Sequence, residues 1–234
     1  MSTYSNLAIE LIGTGEQDGT WGTTTNVNLG TALEEAIVGT VDPSDMVVSK
    51  LNSTVLETWG RERIVTPDMV KGDQLNVRDG IEVHGWPTLG ATRDRLIVIL
   101  HTNGALREAN VQGLSSGESS VLFSDAYGDV NAPYAAYHSM NNPIGGQASI
   151  QAVVQANHLV RTRADSDGEE TVSLNYERAN AALDSGAHFI STDFPFEPSA
   201  DVYGFTIPLG TPSRCNPIQA PDGCSPQDIE DLLE

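Results

Sequence analysis

The sequence predicts an α/β chain built on a parallel sheet, preceded by a short glycine- and threonine-rich segment. Three observations lead there. Apolar strand-like runs alternate with helical patterns from about residue 46 onward. The run Arg95-Leu96-Ile97-Val98-Ile99-Leu100 is continuously apolar after its first residue, as in a strand buried on both faces. Residues 1 to about 41 are dominated by Gly, Thr and Asn and show no such alternation. At 234 residues and 39% hydrophobic, the chain can bury a core. With 12 Lys plus Arg against 32 Asp plus Glu, its formal charge is -20. That balance argues against a nucleic-acid surface and against general adhesion to anionic membrane, while leaving room for a local basic pocket. No apolar run reaches the ~18 residues of a transmembrane helix. The start, Met1 to Asn6, has no basic residue and no long apolar stretch after it, so no secretory signal is visible.

In chain order, Leu7, Ile9 and Leu11 alternate with Ala8 and Glu10, a short strand signal. Gly13 to Asn26 is turn-rich and carries one aromatic, Trp21. Leu29, Leu33, Ala36 and Ile37 then fall at helical spacing between Asn28 and Gly39. Met46, Val47, Leu51, Val55 and Leu56 fit one helical face, and Pro67 is placed to begin a short helix. After the strand at 95–100, Val121-Leu122-Phe123 is a second strand. Residues 150–156 form a helix leading into a third strand, 158–163. Asn175 to Ser185 is a helix stopped by Gly186, and Ala187 to Asp193 is a fourth strand. Five prolines from Pro208 to Pro226 mark the tail as a surface strap. Cys215 and Cys224, nine positions apart, either close one small loop in an oxidising compartment or remain free thiols.

Functional groups of a parallel α/β sheet gather at the C-terminal ends of its strands. Here those ends carry His101 with Asn103, Asp125, Arg161 with Arg163 and Asp165, and Asp193. Positions two apart on a strand share a face, so Arg161 and Arg163 form a pair able to hold a phosphate or carboxylate. The alternative is that they pair with some of the many carboxylates. His101 is a candidate acid–base group, against the alternative of a structural or solvated ring. His84, His138, His158 and His188 read as lying in a turn, a loop and at strand starts. Asp165 to Glu170 reads as a solvated acidic loop, since its spacing is not that of an EF-hand. No metal ligand set is visible.

Two resemblances add to this. Leu11-Ile12-Gly13-Thr14-Gly15-Glu16, Gly19 to Asn26 and Asn28-Leu29-Gly30 resemble an N-terminal module of tailed-phage tail-fibre and virion proteins. That implies attachment or assembly for residues 1–41, with a virion-associated or extracellular location. Residues of about 46–224 resemble the C-terminal half of bacterial calcium-dependent phosphoinositide-specific phospholipase C. The matching stretches are Arg61 to Asp68, Gly85 to Gly90, Leu159 to Asp167, Ser185 to Phe194 and Arg214 to Pro217, with an acidic tail at 225–234 beyond them.

That family implies a TIM-like barrel, a phosphoric diester hydrolase of lipid metabolism, and a calcium ion beside two acid–base histidines. Those histidines and most calcium ligands belong to early strands that this sequence lacks, and no histidine precedes residue 46. A complete barrel takes roughly 250 residues, about 30 per unit. The resemblance therefore implies a half-barrel and a catalytically incomplete enzyme, with doubtful calcium binding. Its ligand would be a phosphoinositide or another small anion. The alternative is a phage structural or binding protein. An open sheet edge also leads us to expect homo-oligomers or a virion partner.

Overall fold

The computed structural model describes residues 3–4, 10–11, 43–116, 120–166, 168–194, 204–207 and 213–229. The chain divides into two compact units, Met1–Leu51 and Asn52–Glu234. In the first, β1 (Thr3–Tyr4) pairs antiparallel with β2 (Glu10–Leu11), with Thr3 opposite Leu11. The glycine-rich turn and the helix expected around Leu29–Ile37 lie outside the described residues. Helix α1 (Pro43–Trp59) forms where a helical face was expected, but Met46, Val47 and Leu51 of that face are exposed, Val55 and Leu56 are partly buried, and Val48 is the buried residue.

The second unit is a parallel sheet with helices packed on it. A short 3-10 turn (Arg61–Arg63) leads to Ile64, which bridges Leu96 in parallel. Pro67 opens α2 (Pro67–Lys71) at its first turn, and the Thr66 side chain caps it by accepting from the Met69 N–H. Helix α3 (Val77–His84) is capped by Asn76, whose Oδ1 accepts from the Asp79 N–H at 2.9 Å. His84 is thus the last residue of a helix rather than part of a turn. Helix α4 (Leu89–Thr92) precedes β3 (Val98–Leu100). Helix α5 (Ala105–Ser116) returns the chain to β4 (Leu122–Ser124). A loop without a helix then reaches β5 (Tyr137–Ser139). Helix α6 (Gln147–Gln155) leads to β6 (Leu159–Arg163). Helices α7 (Glu169–Ser173) and α8 (Glu177–Asp184) lead to β7 (Phe189–Ser191).

Strand β3 pairs parallel with β4, and β5, β6 and β7 form a parallel three-stranded sheet. A parallel bridge between Asp125 and Tyr137 joins the two sets. The described strands make an open, partial barrel-like α/β sheet, and no closed barrel forms among the described residues.

Burial alternates along β6. Val160 packs on Ile150, Val153 and Val154 of α6, and Ala164 packs on Ala179 and Ala182 of α8. The intervening Leu159, Arg161 and Arg163 are only partly buried and face away from those helices. The same open side holds a groove of about 380 Å³ lined by apolar residues including Ile97, Tyr137, Leu159 and Phe189.

Three expectations need correction. The run Arg95–Leu100 is not buried on both faces: Leu96 and Ile97 are 38% and 37% exposed, because no further strands close over this side among the described residues. His138 sits within β5, a three-residue strand too short to show alternation. The expected solvated acidic loop at 165–170 does not hold for Asp165 and Glu170, which are buried. The Asp165 carboxylate accepts from the Asp193 N–H, and Glu170 pairs with Arg178 Nε at 2.6 Å.

The tail is a strap across the starts of the last strands. Asn216 Nδ2 donates to the Gly186 carbonyl at 2.7 Å, and Gln219 Nε2 donates to that of Val154. Arg93 Nη2 donates to the carbonyl of Ile229, in the closing helix α9 (Pro226–Ile229). Cys215 and Cys224 are joined as a disulfide within the strap.

Candidate functional site

The C-terminal ends of β3, β4 and β5 bring three polar side chains together. His101, one residue beyond β3, places Nδ1 2.7 Å from Oδ2 of Asp125, one residue beyond β4. Asp125 is fully buried, whereas the His101 side chain is half exposed. The other carboxylate oxygen of Asp125, Oδ1, accepts two backbone N–H groups, from Tyr127 at 2.9 Å and Ser139 at 3.0 Å. A buried carboxylate satisfied by three N–H donors is held in one orientation. It fixes the His101 proton on Nδ1 and leaves Nε2 able to accept or deliver a proton at the open face.

Ser139 Oγ lies 3.3 Å from the same Nδ1. Serine and aspartate therefore meet one nitrogen, which differs from a nucleophilic triad, where they meet opposite nitrogens. Tyr127 rests its ring against His101, with centroids 5.8 Å apart. Its backbone has φ +47°, a strained left-handed conformation for a residue with a bulky side chain.

Arg161 extends this cluster onto β6. It is the register partner of Ser139, so the two share a face about 4.8 Å apart. Arg161 Nη1 donates to Asn141 Oδ1 at 2.9 Å. Arg163 lies two residues further along the same face, and its guanidinium has no partner among the described residues.

The other expected residues are placed differently. Asn103 is exposed beyond β3. Asp165 is directed to the Asp193 backbone, and the Asp193 side chain is exposed. Ser139, Tyr127 and Asn141 are new members of the site. Ser139 and Asn141 were hidden because β5 was not visible as a strand.

Among the described residues, no three His, Cys, Asp or Glu side chains gather to hold a metal ion. Both Asp125 oxygens are taken by N–H groups, and Asp165 is taken by Asp193. The described residues do not fit a calcium site.

Behind the mouth, His138 and His158 are buried and stacked, with ring centroids 5.0 Å apart and planes 12° from parallel. His138 Nε2 and His158 Nδ1 are 2.8 Å apart. Burial pushes both imidazoles down to about 4; the neighbouring His158 adds to this at His138, and the Arg78 charge adds at His158.

No helix among the described residues is long and apolar enough to cross a membrane. The comparisons give no support to the phage-like resemblance of residues 1–41. No curated protein and no solved structure matches the chain. The family model described as phosphoinositide phospholipase C, Ca2+-dependent, matches residues 28–217, beginning inside the glycine- and threonine-rich segment, and the chain belongs to that family.

Proposed function

We propose that this chain is a phospholipase-C-like domain that holds a phosphorylated headgroup at the mouth of its open sheet but does not complete calcium-dependent cleavage. The observation that carries the reading is the alternation along β6, which turns Arg161 and Arg163 to the open face beside His101 and Ser139. Two guanidinium groups on one strand face suit a phosphodiester or phosphomonoester. They stand out in a chain with only 12 cations against 32 carboxylates.

The same geometry limits the chemistry. Internal attack on a phosphodiester needs one group to take a proton from the nucleophile and another to give one to the leaving oxygen. The His101–Asp125 pair supplies one such group. The other histidines are engaged elsewhere: His138 and His158 are buried against each other, His188 meets Gln219, and His84 meets Asp73. A missing acid–base partner costs typically 10² to 10⁴-fold.

The test joins binding to turnover on the whole chain. Inositol 1-phosphate should bind, and binding should weaken at least tenfold in Arg163→Met, read by calorimetry. Phosphatidylinositol vesicles should release no inositol phosphate above background with calcium or with a chelator. Calcium-stimulated release that disappears in His101→Ala would overturn the incompleteness, and undiminished binding in Arg163→Met would overturn the anion site.

A further inference from the structure

We infer that the buried His138–His158 pair positions the His101–Asp125 dyad, through the strained turn at Tyr127–Gly128, and does so only while His138 is neutral. The inference rests on the reading of His101 and Asp125 as the acid–base pair of the mouth.

The turn is held from two sides. The Tyr127 N–H donates to Asp125 Oδ1, and the next N–H, that of Gly128, donates to His138 Nδ1 at 2.9 Å. Nδ1 of His138 is therefore bare, and its proton sits on Nε2, facing Nδ1 of His158. A polar chain thus runs from His158 through His138 to the Gly128 N–H, and from the adjacent Tyr127 N–H through Asp125 to His101.

Tyr127 does not hold φ +47° unaided; such backbone persists where surrounding bonds over-determine it. Here the side-chain acceptors are one carboxylate and one imidazole, beside the backbone bonds Ala126 N–H to Tyr137 O and Asp129 N–H to Ala126 O that close the turn. Protonating His138 would place an N–H against the Gly128 N–H, donor against donor, and the turn would lose one of its two side-chain anchors. Asp125 Oδ1 would then keep the Ser139 N–H but lose that of Tyr127, one of its two fixed donors, and its hold on the orientation of His101 would loosen. The charges around the pair are Asp125 and Asp129 near His138 and Arg78 near His158. Burial outweighs the two carboxylates and keeps the rings neutral at ordinary pH.

The experiment is histidine and amide NMR on the full chain, without ligand. At neutral pH the wild type should show a downfield His101 Nδ1–H signal, and the Tyr127 and Gly128 amides should move together with an inflection near pH 4. His138→Asn keeps an acceptor close to the Nδ1 position but cannot be protonated. It should keep the His101 signal and lose the amide inflection. His138→Phe keeps bulk without an acceptor and should broaden and weaken the His101 signal.

A folded His138→Phe with the His101 signal intact would overturn the inference. So would an inflection at Gly128 that survives in His138→Asn, which decides the matter even where His138→Phe fails to fold. A separate arm adds inorganic phosphate to the wild type. His101 resonances that stay unmoved there would count against the anion-binding mouth alone, because the coupling is read without ligand.

Discussion

The most consequential residues here are histidines that do no chemistry. His138 and His158 are neutral in the fold because burial disfavours their charged forms, with values of about 4 against about 6.5 in an unfolded chain. The unfolded chain therefore binds more protons than the native one between those values. Stability from the pair is fully present above about pH 6.5, falls as pH drops, and is gone once both states are protonated below about 4. The loss is of the order of a few kcal/mol for the pair. Urea midpoints taken between pH 7 and pH 4.5 should fall steeply for the wild type and less steeply for His138→Asn combined with His158→Gln. Equal slopes would show that the rings do not carry the acid sensitivity. The sequence marked His101, Asp125, Arg161 and Arg163 as strand-end groups, because a parallel sheet dictates where such ends lie. It could not show the histidine pair, since twenty positions separate the two rings and only the β5–β6 pairing brings them together.

Among the elements, β6 was legible because His158 to Arg163 alternates, and α8 because Tyr176, Ala179 and Ala182 recur at helical spacing. Helix α3 was not legible. It is eight residues long with glycine at its centre, and glycine lowers helix propensity by about 1 kcal/mol relative to alanine. Packing explains the glycine: a Cβ at Gly80 would collide with the backbone carbonyl of Val70 at the end of α2. Two effects thus oppose each other in Gly80→Ala. Propensity favours the alanine by up to about 1 kcal/mol, while overpacking against a backbone atom costs typically 1–3 kcal/mol. The carbonyl cannot rotate away as a side-chain tip would, so sterics win. Gly80→Ala should lower the urea midpoint by the equivalent of about 1 kcal/mol, and a raised midpoint would mean that α2 and α3 can slide apart freely. Strand β5 escaped notice for a different reason: at three residues it is defined by its neighbours on either side and not by its own pattern.

At the scale of the molecule, charge is the plainest property. A formal charge of -20 means that carboxylates repel one another over most of the surface, whatever the local pairs such as Arg178–Glu170 contribute. Raising sodium chloride from about 0.1 M to about 1 M shrinks the screening length from about 10 Å to about 3 Å. The melting temperature should rise by a few degrees, and a fall would show that local ion pairs outweigh the net repulsion. The open α/β class was legible from alternation and from the arithmetic of barrel units. The exposure of Leu96 and Ile97 was not, because an apolar run reads alike whether or not a second layer of strands covers it. The strap carries a further consequence. Asn216 and Gln219 satisfy carbonyls of Gly186 and Val154, which lie 30 and 65 positions earlier. During translation, strands β6 and β7 leave the ribosome with that lower rim still unclasped. Only when residues 213–229 emerge can the clasp close and Cys215 meet Cys224 around it, so the newborn sheet passes through an interval in which its rim is open to chaperones.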